Sequence, residues 1–197
     1  MLQLVSGLLV VVLFSGCALT KAYIPLSYTA QTSVSKVAGA DSVAVSVTVS
    51  DQRADKTSVG AKKNGYGMEM APIIATNDVA ALLKTAIETE LTSRGFNPDA
   101  SNAVAVVADL NTFRNDFKTG FWAGDAVAKV VMNVTIKNEG GVIVYSKLVS
   151  GQGMISNIQL ASGENARMAL DEALKDALDK MFGDFAFIDA LLKSKKP

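Results

Sequence analysis

The chain has 197 residues, 49% of them hydrophobic, and its 19 Lys and Arg balance 19 Asp and Glu. Neutrality removes the electrostatic case for nucleic acid, and the lack of any histidine removes the commonest general base and the commonest metal ligand together. A lone cysteine cannot form a disulfide within the chain, and the length suits one ordinary domain.

No charged side chain occurs from Met1 to Thr20. Leu4 to Phe14 has the length and apolar character of a secretory h-region, and the small residues Ser15 and Gly16 stand immediately before Cys17. This resembles a bacterial lipobox, with Phe14 where Leu is more usual. The resemblance implies a signal peptide of residues 1–16 and lipidation of Cys17. An uncleaved anchor is the alternative, since the uncharged run approaches the ~20 residues that span a bilayer. Gly7, Ser15 and Gly16 weaken such a helix, and either reading ties the N-terminus to a membrane. Residues 17–40, rich in Ser, Thr and Ala, read as a tether, which leaves 41–197 as a single domain.

From Val43 to Ser50 every valine falls on one face, the pattern of a half-buried strand. It runs into Asp51-Gln52-Arg53-Ala54-Asp55, where two carboxylates and a guanidinium gather within five residues. An ion pair with turn hydrogen bonds accounts for them, and Arg53 could instead grip a partner's carboxylate or phosphate bidentately. Asn64-Gly65 predicts a hairpin, with the returning strand at a sheet edge because Pro72 lacks a donor. Asn77 then caps a helix whose stripe is Val79, Leu82, Leu83, Ala86, Ile87 and Leu91, ending at Gly95. Lys84, Glu88 and Glu90 fall on the solvated side.

Ala103 to Ala108 reads as a short buried strand. The following stretch to Asp125 interleaves Phe113, Phe117, Phe121 and Trp122 with charges. Either Phe113 and Phe117 complete the core and the rest is a long hairpin end, or the aromatics lie against a partner or a bilayer interface. Ala126 to Lys137 and Val142 to Gly153 form an antiparallel pair around Glu139-Gly140-Gly141. Gly151-Gln152-Gly153 is too short a fragment for a nucleotide loop. Ser162 caps an Ala/Leu-striped helix through Phe182, and a second short helix spans Phe185 to Lys193.

A Val-rich strand ending in Asp-Gln-Arg, a hairpin, a helix closing on Arg94-Gly95, a β-rich middle and a C-terminal helix, all behind Cys17, resemble the YajG family of bacterial lipoproteins. That family's biochemical role is uncharacterised. The resemblance implies a lipid site at Cys17 and nothing catalytic. The element order predicts an α+β fold, a two-layer sandwich of mostly antiparallel sheet with two long helices on one face.

The expected role is a binding or structural accessory subunit of a cell-envelope assembly. Its partners would be the membrane, through the N-terminal lipid, and an envelope protein, with no cofactor and no metal. Ala18 in place of Asp after the lipidated cysteine implies the outer membrane, periplasmic side. Candidate docking residues are Asp51, Arg53, Asp55, Phe117, Phe121 and Trp122. The alternatives are a carrier for an apolar ligand or glycan, which needs a cavity, and a carboxylate-only hydrolase. Without histidine or a nucleophile constellation, an enzyme is not expected.

Overall fold

The computed structural model describes residues 20–98, 104–118, 120 and 122–194. Seven strands, β1 (Ala22–Ile24), β2 (Val45–Asp51), β3 (Ser58–Lys63), β4 (Glu69–Ala75), β5 (Val104–Lys118), β6 (Gly124–Lys137) and β7 (Ile143–Ile158), accompany three helices. These are α1 (Val79–Ser93), α2 (Gly163–Phe182) and α3 (Phe185–Lys193). The fold is α+β, and its strands divide into two sheets of order β2-β5-β6-β7 and β1-β4-β3. β2 lies parallel to β5 and β1 parallel to β4, while the other pairs are antiparallel.

The division follows from unequal strand lengths. β2 ends where Asp51 opposes Leu110, but β5 continues to Lys118. The exposed edge of that extension is taken up by the second sheet. Arg53 donates to the carbonyl of Phe113 (3.4 Å) and Lys63 to that of Phe117 (3.2 Å). Between them Gly60 lies so close to Asn115 that an added Cβ would sit 2.8 Å from its carbonyl oxygen. The Asn115 side chain is buried there, and neither its amide nitrogen nor its oxygen has a partner among the described residues.

β5 is therefore one strand of 15 residues, not the short strand plus loop that the sequence predicts. Leu110 opposes Met132 and Thr112 opposes Val131, so Asn111 is an extra residue. A bulge of this kind shifts side-chain parity by one. Buried positions pass from Val104, Val106, Ala108 and Leu110 to Phe113, Asn115 and Phe117, while β6 keeps one register from Ala126 to Ile136. β4 is also central in its sheet, contrary to the edge expected from Pro72. β1 pairs only with Ile73 to Ala75, so it begins just past the proline.

α1 and α2 cover the buried face of the larger sheet. Asp78, not Asn77, caps α1 by accepting from the Ala81 N–H (2.9 Å). Asn77 instead grips the backbone of Leu26, accepting from its N–H (2.9 Å) and donating to its carbonyl (3.1 Å). Over its described part, the segment read as a tether is thus built into the domain. Ile24 and Leu26 are buried, and the Tyr28 hydroxyl and Gln31 N–H donate to Glu90 at 2.6 and 3.0 Å. Gln31 also bonds Asp179 of α2, and Arg94 bonds both Glu90 and Gln31 while standing over the Phe182 ring.

Residues 26–31 consequently form a strap across the seam between α1 and α2. Glu90, expected in solvent, is wholly buried beneath it. Burial by itself would raise its pKa. The Tyr28, Gln31 and Arg94 donors outweigh that and hold the carboxyl below its ordinary value.

Candidate docking site

Asp51, Arg53 and Asp55 lie within five residues at the end of β2; the Arg53 guanidinium is buried, Asp51 is half-buried beside it, and Asp55 is exposed. The Asp51 carboxylate accepts from Arg53 Nε (2.9 Å) and Nη2 (2.7 Å), and the remaining Arg53 donors reach carbonyls of Lys56, Ser58 and Phe113. Arg53 is only 9% exposed. Asp55 accepts from the N–H and hydroxyl of Thr57 and the N–H of Ser58. For Asp51 the hydrogen bonds and charge of Arg53 overcome burial to lower the pKa, and the exposed Asp55 is lowered by the Ser58 and Thr57 amides. Arg53, held by Asp51, pins the β2–β3 loop to the Phe113 carbonyl of β5, while Asp55 ties the loop only to itself.

The aromatic candidates separate. Phe117 is 4% exposed and faces the core, whereas Trp122, at the β5–β6 tip, is 86% exposed. Phe121 and Cys17 lie outside the described residues.

A groove that the sequence reading missed lies at the other end of the sheet. It holds about 580 Å³ between β7 and the junction of α2 with α3, where Tyr145, Lys147, Leu148, Lys180, Asp184 and Phe185 meet. Asp184 organises it. One carboxylate oxygen caps α3 through the Ala186 N–H (2.9 Å), and the other accepts from the Tyr145 hydroxyl (3.0 Å) and Lys147 Nζ (2.8 Å). Lys147 is the main cause of its lowered pKa. Phe185 (80% exposed) and Leu148 (62%) offer apolar surface on either side.

The groove follows the free edge of β7, and α2 guards only half of that edge. Lys180 donates to the Ser150 carbonyl (3.2 Å), while Asp176 and Glu172 accept from the N–H groups of Gln152 (2.8 Å) and Met154 (3.1 Å). By strand alternation the backbone groups of Ser146 and Leu148 face the same side. They have no hydrogen-bond partner there among the described residues. An unpaired edge bordered by apolar side chains is a template for another extended chain.

Elsewhere the layers close tightly. A Cβ added at Gly151 or Gly153 would lie 2.1 Å from the carbonyl oxygen of Ala173 or Ala169. These glycines exist for helix contact, and the sheet and α2 leave no room between them there. Asp171 is the one titratable group among the described carboxyls pushed up to about 6, by burial against the opposing Arg167 guanidinium 2.6 Å away. Its neighbour Glu172 is turned to Met154, so the two do not form a facing acid pair.

The family model described as "uncharacterized lipoprotein" matches residues 30–191. The chain belongs to that lipoprotein family. None of the curated proteins compared with the lipoprotein matches it. Its fold is similar to the crystal structure of protein XCC0632 from Xanthomonas campestris, of the family model DUF330. That likeness has 13% identity, 90% of this chain and 100% of that one covered, and a TM-score of 0.58. A crystal structure of an uncharacterized protein matches at 12% identity over 82% and 96% of the two chains, with a TM-score of 0.42. The first shows a shared fold, and the second is too distant to argue from. No helix among the described residues of the lipoprotein is long and apolar enough to cross a membrane.

Proposed function

We propose that the lipoprotein is moored to the periplasmic side of the bacterial outer membrane by acyl chains on Cys17, and acts there by binding, not catalysis, as an accessory subunit of an envelope assembly. Family membership and the residues Ser15-Gly16-Cys17-Ala18 support the mooring. The binding role rests on the groove beside the unpaired part of β7. An extended segment of an envelope protein pairs with Ser146 and Leu148 and sets an apolar side chain against Phe185. Main-chain hydrogen bonds then supply affinity and the groove supplies selectivity.

The carrier reading loses support where α2 lies directly on Gly151 and Gly153. A photo-crosslinking residue at Leu148 in cells tests the docking reading. It should capture one discrete envelope protein, while the same residue at the exposed position Lys84 of α1 should not. Equal capture at both positions, or none at Leu148, overturns it.

A further inference from the structure

The start of the described chain and the exposed aromatic tips converge on one pole of the domain. β1 runs parallel to β4, with Ala22 opposite Ile73. Read backwards from Ala22, the chain therefore heads toward the β3–β4 hairpin tip. Cys17 is three residues from Thr20, and three extended residues span only ~10 Å. β1 leaves no longer leash, because the chain is already paired at Ala22 and buried at Ile24.

Four other features reach the same pole. The β3–β4 tip carries Tyr66, 90% exposed, and the exposed Met68. The β5–β6 tip carries Trp122, close to where Lys118 opposes Asp125. Lys63 with Asp116 and Arg114 with Glu69 tie these two hairpins side by side. β7 ends there as well, with Ile158 opposite Gly124, and leads to the exposed Leu160. The Gly163 turn of α2 packs on Ala22 and Ile24, which sets the turn that follows Leu160 against β1, where Tyr23 is exposed on the opposite face.

We infer that Tyr23, Tyr66, Met68, Trp122 and Leu160 form a rim that inserts into the headgroup layer of the bilayer holding Cys17. Three of the five are Trp or Tyr, the side chains whose rings settle at a membrane–water interface. The anchor's reach supplies the occupant. A lipid within ~10 Å of Thr20 leaves these tips nowhere to lie but at the membrane surface. The rim fixes orientation, since acyl chains alone permit the domain to swing. It holds the β7 groove outward, because Leu148 pairs with Asn133, nine residues along β6 from Gly124, or about 30 Å.

This inference rests on the mooring at Cys17, and one experiment separates the two. Trp122 is the sole tryptophan, so it reports alone. Full-length protein, processed and lipidated in cells, is reconstituted in phosphatidylethanolamine–phosphatidylglycerol vesicles with and without lipids brominated near the headgroup end of the acyl chain. The rim requires a blue-shifted emission that loses most of its intensity to the brominated lipid and is shielded from aqueous iodide. The Tyr66→Ser/Met68→Ser variant should float with the vesicles as before, with weaker bromine quenching. Protein that floats but keeps a water-exposed emission, quenched by iodide and not by bromine, overturns the rim and leaves the mooring standing. Quenching unchanged in the double variant also overturns it. Protein that does not float overturns both.

Discussion

Replacing Glu90 by Ala removes the acceptor on which the strap converges. The Tyr28 hydroxyl and Gln31 N–H lose their partner, and Arg94 stays behind in a buried site. Breaking a buried pair from one side costs about 3–5 kcal/mol. Arg94 keeps the Glu90 carbonyl at 3.1 Å, Gln31 Oε1 at 2.9 Å and the Phe182 ring at 4.3 Å, so the lower end applies. For a chain of this size about 3 kcal/mol corresponds to a fall in Tm of roughly 6–12 °C. Thermal unfolding followed by far-ultraviolet circular dichroism measures it. Limited trypsin digestion should show faster cleavage after Lys36, which follows the strap. Because the folded pKa is lowered, the stabilisation is present above the ordinary glutamate value and disappears as pH falls through the lowered one. Glu90→Gln should therefore flatten the acid limb of the stability profile. A loss below about 1 kcal/mol, with unchanged cleavage after Lys36, would refute the strap as a structural element.

Gly151→Ala should destabilise by about 3 kcal/mol, because its methyl meets α2 backbone that cannot yield cheaply. Gly65→Ala, with nothing within 4 Å, should stay within about 0.5 kcal/mol in the same denaturant titration. Asn115→Leu replaces two unpartnered polar atoms by a side chain of similar shape, and should raise stability by about 1–2 kcal/mol by the same assay. Asp171 has its pKa raised, so its favourable contribution is complete below 3.8 and lost as pH rises through about 6. Asp171→Asn should accordingly gain on wild type by about 1 kcal/mol between about pH 4 and pH 7, discounted for partial exposure. A constant Tm difference across that range would show that burial does not govern this carboxyl.

Strand and helix periodicity was legible wherever one register held. Val45 and Val47, the even positions of β6, the Ala/Leu stripe of α2 and the Ser162 cap all appear as the pattern implies. The pattern broke at β5 because Asn111 switches parity, which hid the continuous strand that carries Phe113 and Phe117 into the core. Glu90 was misread for a different reason. Its partners Tyr28 and Gln31 stand about sixty residues away in a stretch whose composition reads as linker.

The candidate site was legible only in part. Asp51, Arg53 and Asp55 were visible as a cluster, but the burial of Arg53 depends on β5 outrunning β2. The groove left a faint signal in Val142, Ile143, Val144 and Leu148, more apolar residues than one buried face needs. Which edge groups α2 satisfies is a matter of tertiary placement, and no local pattern carries it.

The roles proposed for both poles of the molecule rest on a lipid at Cys17. The most direct test is the intact mass of the mature protein extracted from cell membranes, with its N-terminal peptide sequenced. The account predicts a chain beginning at Cys17 and heavier by its acyl chains. A chain that retains residues 1–16 and an unmodified Cys17 thiol would contradict it.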